Sequence, residues 1–201
     1  DLKIALDNGF DVNNVNYNNE TIFHGYRNPK YLHEAIPYLN TNIQTTRLGD
    51  TIFHKNHHRY YRTIADAILK GFNVHLKNIE GDTVFHNDYH YNYLDFAIEH
   101  GFNPNTQNIN GETLFHQQSY IYKEKLLMAL DYGFNINSMD NNGNTIFHRF
   151  RNKHLLYDGI KRGFDYRLLD EKNTGRTMLH DIVLFEPEKL EYFLKLISKL
   201  N

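Results

Sequence analysis

The sequence has no cysteine among its 201 residues. That absence excludes disulfides, thiolate metal sites and cysteine nucleophiles together, and it leaves the redox compartment open. An excess of basic charge is also missing: 22 Lys and Arg face 24 Asp and Glu, a net charge of −2. A dedicated duplex-DNA binder normally carries a strongly basic signature. Apolar runs stop at four or five residues, as in Leu126 to Leu130, so no segment reads as a membrane span. The glycines stand singly rather than in a phosphate-cradling loop, and neither a nucleophile elbow nor a kinase signature set occurs. No signal-peptide pattern opens the sequence as given. What remains is 40% apolar and 23% charged, enough to bury a core while keeping a polar surface. Asn is abundant, 26 of 201 with only six Ala, a bias that fits an AT-rich genome.

The positive signal is repetition. Four-residue blocks recur as Thr21-Ile22-Phe23-His24, Thr51-Ile52-Phe53-His54, Thr83-Val84-Phe85-His86, Thr113-Leu114-Phe115-His116, Thr145-Ile146-Phe147-His148 and Thr177-Met178-Leu179-His180. The Thr-to-Thr steps are 30, 32, 30, 32 and 32. Glycine stands two residues before Thr at Gly49, Gly81, Gly111, Gly143 and Gly175, with Asn19 in the first copy. A second block precedes each of these, as Gly9-Phe10-Asp11, Gly71-Phe72-Asn73, Gly101-Phe102-Asn103, Gly133-Phe134-Asn135 and Gly163-Phe164-Asp165. A third lies four residues earlier, from Ala5-Leu6 through Ala129-Leu130 to Gly159-Ile160.

The distances locate the elements. From Gly of the second block to the next Thr is 12 residues in five copies, with Leu39 in the Gly place once, and 14 in the last. From Thr to the next Ala (Gly159 in the last) the distance alternates 14, 16, 14, 16, 14. A segment held so strictly is a shaped connector, and the helical part absorbs the change of two residues. Thr before an apolar run is an N-cap whose hydroxyl accepts a backbone N–H of the first turn. Leu94, Ala97 and Ile98, like Leu126, Ala129 and Leu130, have the i, i+3, i+4 spacing of a second helix. Gly71, Gly101, Gly133 and Gly163 follow where a left-handed C′ residue is wanted. Each unit therefore reads as helix, turn, helix and a polar finger, and it must stack to bury its apolar face.

These blocks resemble the ankyrin repeat family over essentially the whole chain, with divergent versions of its Thr-Pro-Leu-His opening. Asp11-Val12-Asn13 and Asn135-Ile136-Asn137 are the nearest matches to the family's finger base. The resemblance implies an all-α ankyrin-repeat solenoid of stacked helix-turn-helix units with β-turn fingers. The expected division of the single domain 1–201 is a partial repeat 1–13, then repeats 14–44, 45–76, 77–106, 107–138 and 139–168, and a C-terminal capping repeat 169–201. The missing first helix before residue 2 reads as a chain that begins inside a longer protein.

Three departures from the family pattern carry expectations. Ile, Val, Leu or Met replaces the family's Pro, so the pre-organised first helical position is lost. Large or polar residues follow His (Tyr26-Arg27, Asn56-His57, Asp88-Tyr89, Gln118-Ser119, Phe150-Arg151) where the family has a small pair. First helices that are short, tilted or partly unwound are therefore expected. Leu39 after Pro37 predicts an irregular finger base and a local kink. The stretch from Pro187 to Ile197 reads as an amphipathic final helix whose lysines and glutamates solvate an outer, capping face.

The repeat histidines His24, His54, His86, His116, His148 and His180 are, by the resemblance, structural groups between units. His54 with His58 and His86 with His90 stand at i, i+4, yet a metal site needs more ligands than two, and no cofactor or metal is expected. The acidic row Glu20, Asp50, Asp82 and Glu112 precedes each Thr, where carboxylates suit the helix N-terminus or contact a partner. Basic and aromatic residues gather at Lys55 to Arg62 and at Arg149 to His154, with a weaker copy in Arg27, Lys30 and Tyr31. In the family this is the inner, ligand-facing side, and it would suit an acidic protein partner. Single-stranded nucleic acid would use the same residue types, but the neutral charge and the acidic row argue against it.

The expected function is non-catalytic protein–protein recognition through a concave face of fingers and first helices. The residues assigned to partner binding are Arg47, Leu48, His58, Arg59, Ile79, Glu80, His90, Ile109, Asn110, Asn141, Asn142, Arg149 and Arg151. No enzyme activity is expected within these residues. The alternative is a targeting or adaptor segment of a larger enzyme or ubiquitin-ligase-linked effector whose active part lies elsewhere. Divergent repeats with AT-rich composition resemble host-directed proteins of intracellular bacteria or large DNA viruses, and the expected location is cytoplasmic, in the host-cell cytosol if the chain is an effector.

Overall fold

The computed structural model describes residues 2–24, 29–55, 61–87, 92–117, 121–149, 153–170, 175–185, 187 and 190–200. Two compact units divide the chain, Asp1–Asn103 and Pro104–Asn201. The first holds α1 (Leu2–Asp7), α2 (Pro29–Ala35), α3 (Ile52–Lys55), α4 (Tyr61–Leu69), a single 3₁₀ turn (Val84–His86) and α5 (Leu94–Glu99). The second holds α6 (Leu114–Gln117), α7 (Lys123–Asp131), α8 (Ile146–Arg149), α9 (Lys153–Lys161), α10 (Met178–Phe185) and α11 (Leu190–Leu200). Extended pairing among the described residues is limited to isolated bridges within fingers, Gln107 to Thr113, Met139 to Thr145 and Leu169 to Thr177. The fold is all-α.

Each repeat builds the same small core. The Phe of the Thr-x-Phe-His block is buried in every copy that has it. It meets the Phe of the Gly-Phe block at the far end of the same repeat. Ring centroids lie 4.9 Å apart for Phe53 and Phe72, 4.6 Å for Phe85 and Phe102, 4.7 Å for Phe115 and Phe134, and 4.5 Å for Phe147 and Phe164. All four pairs are tilted or edge-on, the arrangement that the ring quadrupole favours. Around them lie the helix residues at i, i+3, i+4 spacing: Leu94, Ala97 and Ile98 in one repeat, Leu126 and Ala129 in the next. Gly159 replaces Ala in one copy because a Cβ there would stand 2.6 Å from the Phe147 ring.

The expectation of short first helices is met in the third copy; after α3, α6 and α8 the residues that follow lie outside the described ones. The described helix is four residues in α3, α6 and α8, against eight in α10. In the third copy the 3₁₀ turn ends at Asn87, whose φ of −98° and ψ of 158° are already extended. The second helices end as expected. After α4, the Gly71 N–H reaches the Ile68 carbonyl and the Phe72 N–H reaches the Ala67 carbonyl, 3.0 and 2.9 Å. That pair of bonds is the Schellman arrangement, and Gly71 supplies its left-handed residue with φ +94°.

At Leu39 the finger base is irregular as expected, but the assignment of Leu39 to the Gly place needs correction. Leu39 does not stand in for Gly; it takes the Phe place. Its side chain is buried, and its N–H bonds the Ala35 carbonyl at 3.0 Å, closing the helix one residue early. The finger that follows is longer by one residue, because its tip turn runs from Thr45 to Gly49 where other copies need only Asn78 to Gly81 or Asn108 to Gly111. The two changes cancel, so the distance of 12 residues to Thr51 is kept.

The outer surface of the last helix pair also differs from expectation. Lysines and glutamates do not cover it alone: Val183, Leu184, Tyr192 and Leu194 are exposed. No described helix is long and apolar enough to cross a membrane.

Candidate functional site

The Thr-x-x-His block builds the platform from which each finger projects. The backbone N–H of Thr donates to His Nδ1 at 3.0–3.1 Å in the copies starting at Thr21, Thr51, Thr83, Thr113, Thr145 and Thr177. The Thr hydroxyl in turn receives a first-turn N–H, as from Phe23 and Phe53 at 3.3 Å. This is a capping box with His in the place usually taken by Glu or Gln. Because Nδ1 accepts, the proton sits on Nε2, and Nε2 donates across to the next finger. Its acceptors are the carbonyls of Ile43 for His24, Asp82 for His54 and Asn144 for His116, at 3.2, 2.9 and 3.0 Å. The structural role implied for these histidines is thus a specific one, closing a helix start and tying it to the neighbour. His54 is held below its ordinary value of 6.5, chiefly by burial, while the Asp82 carbonyl and the Asp50 and Asp82 carboxylates pull the other way.

The fingers are closed by a residue the sequence reading passed over. In four of the six copies Asn16, Asn78, Asn108 or Asp140 stands five residues before Thr. Its side-chain oxygen accepts two backbone N–H groups at the tip, those of Glu80 and Asp82 for Asn78 and those of Asn110 and Glu112 for Asn108. This is the Asx mimicry of a backbone turn. The glycine that follows has positive φ, and Asn19 matches it with φ 57° in the first copy. The fixed interval of Asn or Asp before Gly was the signal that would have revealed the motif.

Fingers are also stitched to one another. The Ile79 N–H donates to the Leu48 carbonyl at 2.8 Å, and the Asn141 N–H to the Asn110 carbonyl at 2.7 Å. At the finger bases an asparagine ladder runs between repeats. Asn42 donates its amide to the Gly71 carbonyl and accepts the Asn73 N–H, at 3.1 and 2.8 Å. Asn13 does the same with Tyr38 and Asn40, Asn105 with Gly133 and Asn135, and Asn137 with Gly163 and Asp165. His75 occupies this position once and stacks on Phe102 instead, at 6.2 Å.

Against this frame the assigned binding residues separate. Arg47, Leu48, Ile79 and Glu80 are exposed at two successive fingertips of the first unit; Ile109, Asn110, Asn141 and Asn142 are exposed at two fingertips of the second. Ile79 and Ile109 each leave 64% of their surface in solvent, although the Ile79 backbone is tied to the neighbouring finger. Asn141 spends its amide on the Ile109 carbonyl at 2.8 Å, so its first role is to hold that finger. The backbone of Arg149 ends α8. His58, Arg59, His90 and Arg151 lie outside the described residues, and with them most of the basic stretches. No group of three or more candidate metal ligands occurs among the described residues.

Beside the fingertips Leu48 and Glu80 lies a cleft of about 310 Å³, floored by His54 and Thr83 and edged by Asp50 and Asp82. The acidic row has specific donors here. Asp50 accepts the Asn78 amide at 3.1 Å, Glu20 that of Asn16 at 3.1 Å, and Glu112 those of Asn108 and Gln117 at 3.2 and 3.0 Å. Asp50 and Glu112 are buried, so these carboxylates belong first to the fingers.

Neither a family model nor a curated protein sequence matches the chain. In structure, 276 chains match, so the likeness is to an architecture. One is the ankyrin repeat domain of Bcl-3, a member of the IkappaB protein family. It is 17% identical, with a TM-score of 0.60 over 89% of this chain and 84% of that one. With the repeating Thr-x-x-His platforms, fingers and paired helices described above, this chain has the ankyrin-repeat fold.

Proposed function

We propose that the chain is a non-catalytic protein-recognition module that binds a partner protein through its fingertips and the adjoining first helices. The observation that carries this reading is the solvent exposure of Leu48 and Ile79 on neighbouring, mutually bonded fingers. Their backbones are fixed while their apolar side chains remain free, which lowers the entropy lost on binding. Arg47 and Glu80 beside them give the patch a polar rim. The acidic partner expected from the sequence would be met by Arg47, Arg59, Arg149 and Arg151. Fold alone names no ligand.

The test is affinity capture from cell lysate with the parent chain, a Leu48→Ser/Ile79→Ser variant and a Tyr132→Ser variant. Tyr132 is exposed but follows α7 and is not a fingertip residue. Circular dichroism checks that each folds. A partner kept by the Tyr132 variant and lost by the fingertip variant is the expected result. Capture that survives the fingertip variant overturns the assignment.

A second reading makes the chain the targeting or adaptor part of a larger enzyme or ubiquitin-ligase-linked effector. One observation favours it: α1 buries none of its residues, and Phe10 and Ile22 are 40% and 50% exposed. Their counterparts Phe72 and Ile52 are 4% and 1% exposed under a preceding repeat. The flanking reading frame tests it, the expected finding being a catalytic or ligase-binding domain.

A further inference from the structure

Two fingers of the first unit meet around the cleft beside Leu48 and Glu80, and its walls are tied to each other. The Ile79 N–H donates to the Leu48 carbonyl at 2.8 Å, the Gln44 amide to the Lys77 carbonyl at 2.8 Å, and the Asn78 amide to Asp50 at 3.1 Å. Gly49 lets the fingers approach: a Cβ there would stand 3.4 Å from the Asn78 Cα and the Ile79 nitrogen. The space between them is about 310 Å³, and Asp50, Glu80 and Asp82 line it. Arg47 and Lys77 are exposed on the same two fingers but do not line the cleft. Asp50 is only 7% exposed. One of its carboxylate oxygens takes the Asn78 amide, and the other meets no donor among the described residues. A buried carboxylate satisfied on one side by a neutral amide leaves an acceptor at the cleft that calls for a donor.

We propose that this cleft receives an arginine of a partner protein, with a large apolar residue beside that arginine resting on Leu48 and Ile79. The proposal rests on the protein-recognition reading and names the chemistry of the segment seated at these two fingertips. Its charge is opposite to that of the acidic partner expected from the sequence. A guanidinium stays charged and presents a planar fork of donors that matches carboxylates. Its stem packs on Leu48 while its head reaches the carboxylates. The walls are already fixed, so little ordering opposes entry. The second unit shows that the repeat itself does not demand an acidic cleft. In matching places two repeats on, Leu48, Ile79, Glu80 and Asp82 become Asn110, Asn141, Asn142 and Asn144, and Asn87 becomes Arg149. Asp140 there closes its own finger on the Asn142 and Asn144 N–H groups, at 2.8 and 2.9 Å. The apolar tips and the Glu80 and Asp82 carboxylates are therefore particular to the first unit.

The test is selection of phage-displayed random peptides on the full chain, followed by fluorescence anisotropy with the selected peptides made synthetically. They are expected to share an arginine beside a large apolar residue and to shift the His54 ring signals in NMR. Glu80→Gln/Asp82→Asn and Glu80→Arg are each expected to weaken them about tenfold or more. Asn142→Ala, in the matching place of the second unit, is expected to leave them unchanged. Glu80 is exposed, and Asp82 holds His54 through its backbone carbonyl; circular dichroism checks that each variant folds. Acidic or uncharged peptides that Leu48→Ser/Ile79→Ser abolishes overturn the arginine and leave protein recognition standing. Peptides indifferent to both sets of fingertip variants overturn both. A selection that enriches no peptide overturns this proposal, while recognition still stands or falls by capture from lysate.

Discussion

Replacing His116 and His148 in turn by Leu separates the two bonds that a repeat histidine makes. Both changes remove the ring that caps the Thr N–H, at 3.1 Å in each repeat, and both replace an imidazole by an apolar group of similar size. Those costs are common to the pair. The difference lies at Nε2. His116→Leu loses a bond of 3.0 Å to the Asn144 carbonyl, a net loss of about 1 kcal/mol. His148→Leu loses no such bond and removes a buried donor without a partner among the described residues, which relieves about 1 kcal/mol or more. His116→Leu is therefore expected to be the more destabilising by ~2 kcal/mol. Urea unfolding followed by circular dichroism measures it, with equal slopes confirming that the unfolded states compare. Equal losses for the two variants, or the larger loss at His148, would refute the account of the Nε2 bond.

Burial holds His54 below 6.5, so the unfolded chain binds its proton first as pH falls. Stability from this residue is full above pH 6.5 and is lost as pH drops below it toward the folded value; an NMR titration showing His54 protonating at or above 6.5 contradicts this. Phe72→Ala removes one ring of a 4.9 Å pair and should cost about 3–5 kcal/mol in thermal or urea unfolding. Gly111→Ala and Gly175→Ala both place a side chain at positive φ, but only at Gly111 would the Cβ meet a neighbour, 2.9 Å from the Asn141 nitrogen. Gly175→Ala should cost about 1 kcal/mol and Gly111→Ala clearly more. Asn137→Ala cuts a ladder rung that makes two bonds and should cost about 1–3 kcal/mol, seen as faster amide exchange at Asp165.

Thr, His and Gly recur at fixed distances, so the helix starts and the left-handed glycines were legible in the sequence, whereas the pairing of the recurring Phe rings came from the structure. Leu39 was not legible, because a residue lost at the helix end and one gained at the fingertip leave the spacing unchanged. Only the side chain gives it away: an apolar residue in a place that should be Gly fits the neighbouring Phe slot. The Asx closure by Asn78 and its counterparts was periodic too, but an abundance of Asn hid it. At the fingertips Leu48 and Ile79 followed from position in the repeat. Asn141, chosen by the same logic, is engaged by the next finger, since an amide on an exposed turn finds a carbonyl within reach as readily as it finds a partner.

The asparagine ladder has a consequence for how such a chain changes over time. Each rung grips a carbonyl and an N–H of the following repeat, groups that every residue except proline provides. A rung therefore makes no demand on the side chains it meets. Copies can be gained, lost or exchanged at these seams without matching mutations next door, and the exposed fingertips can diverge freely while the seams stay shut.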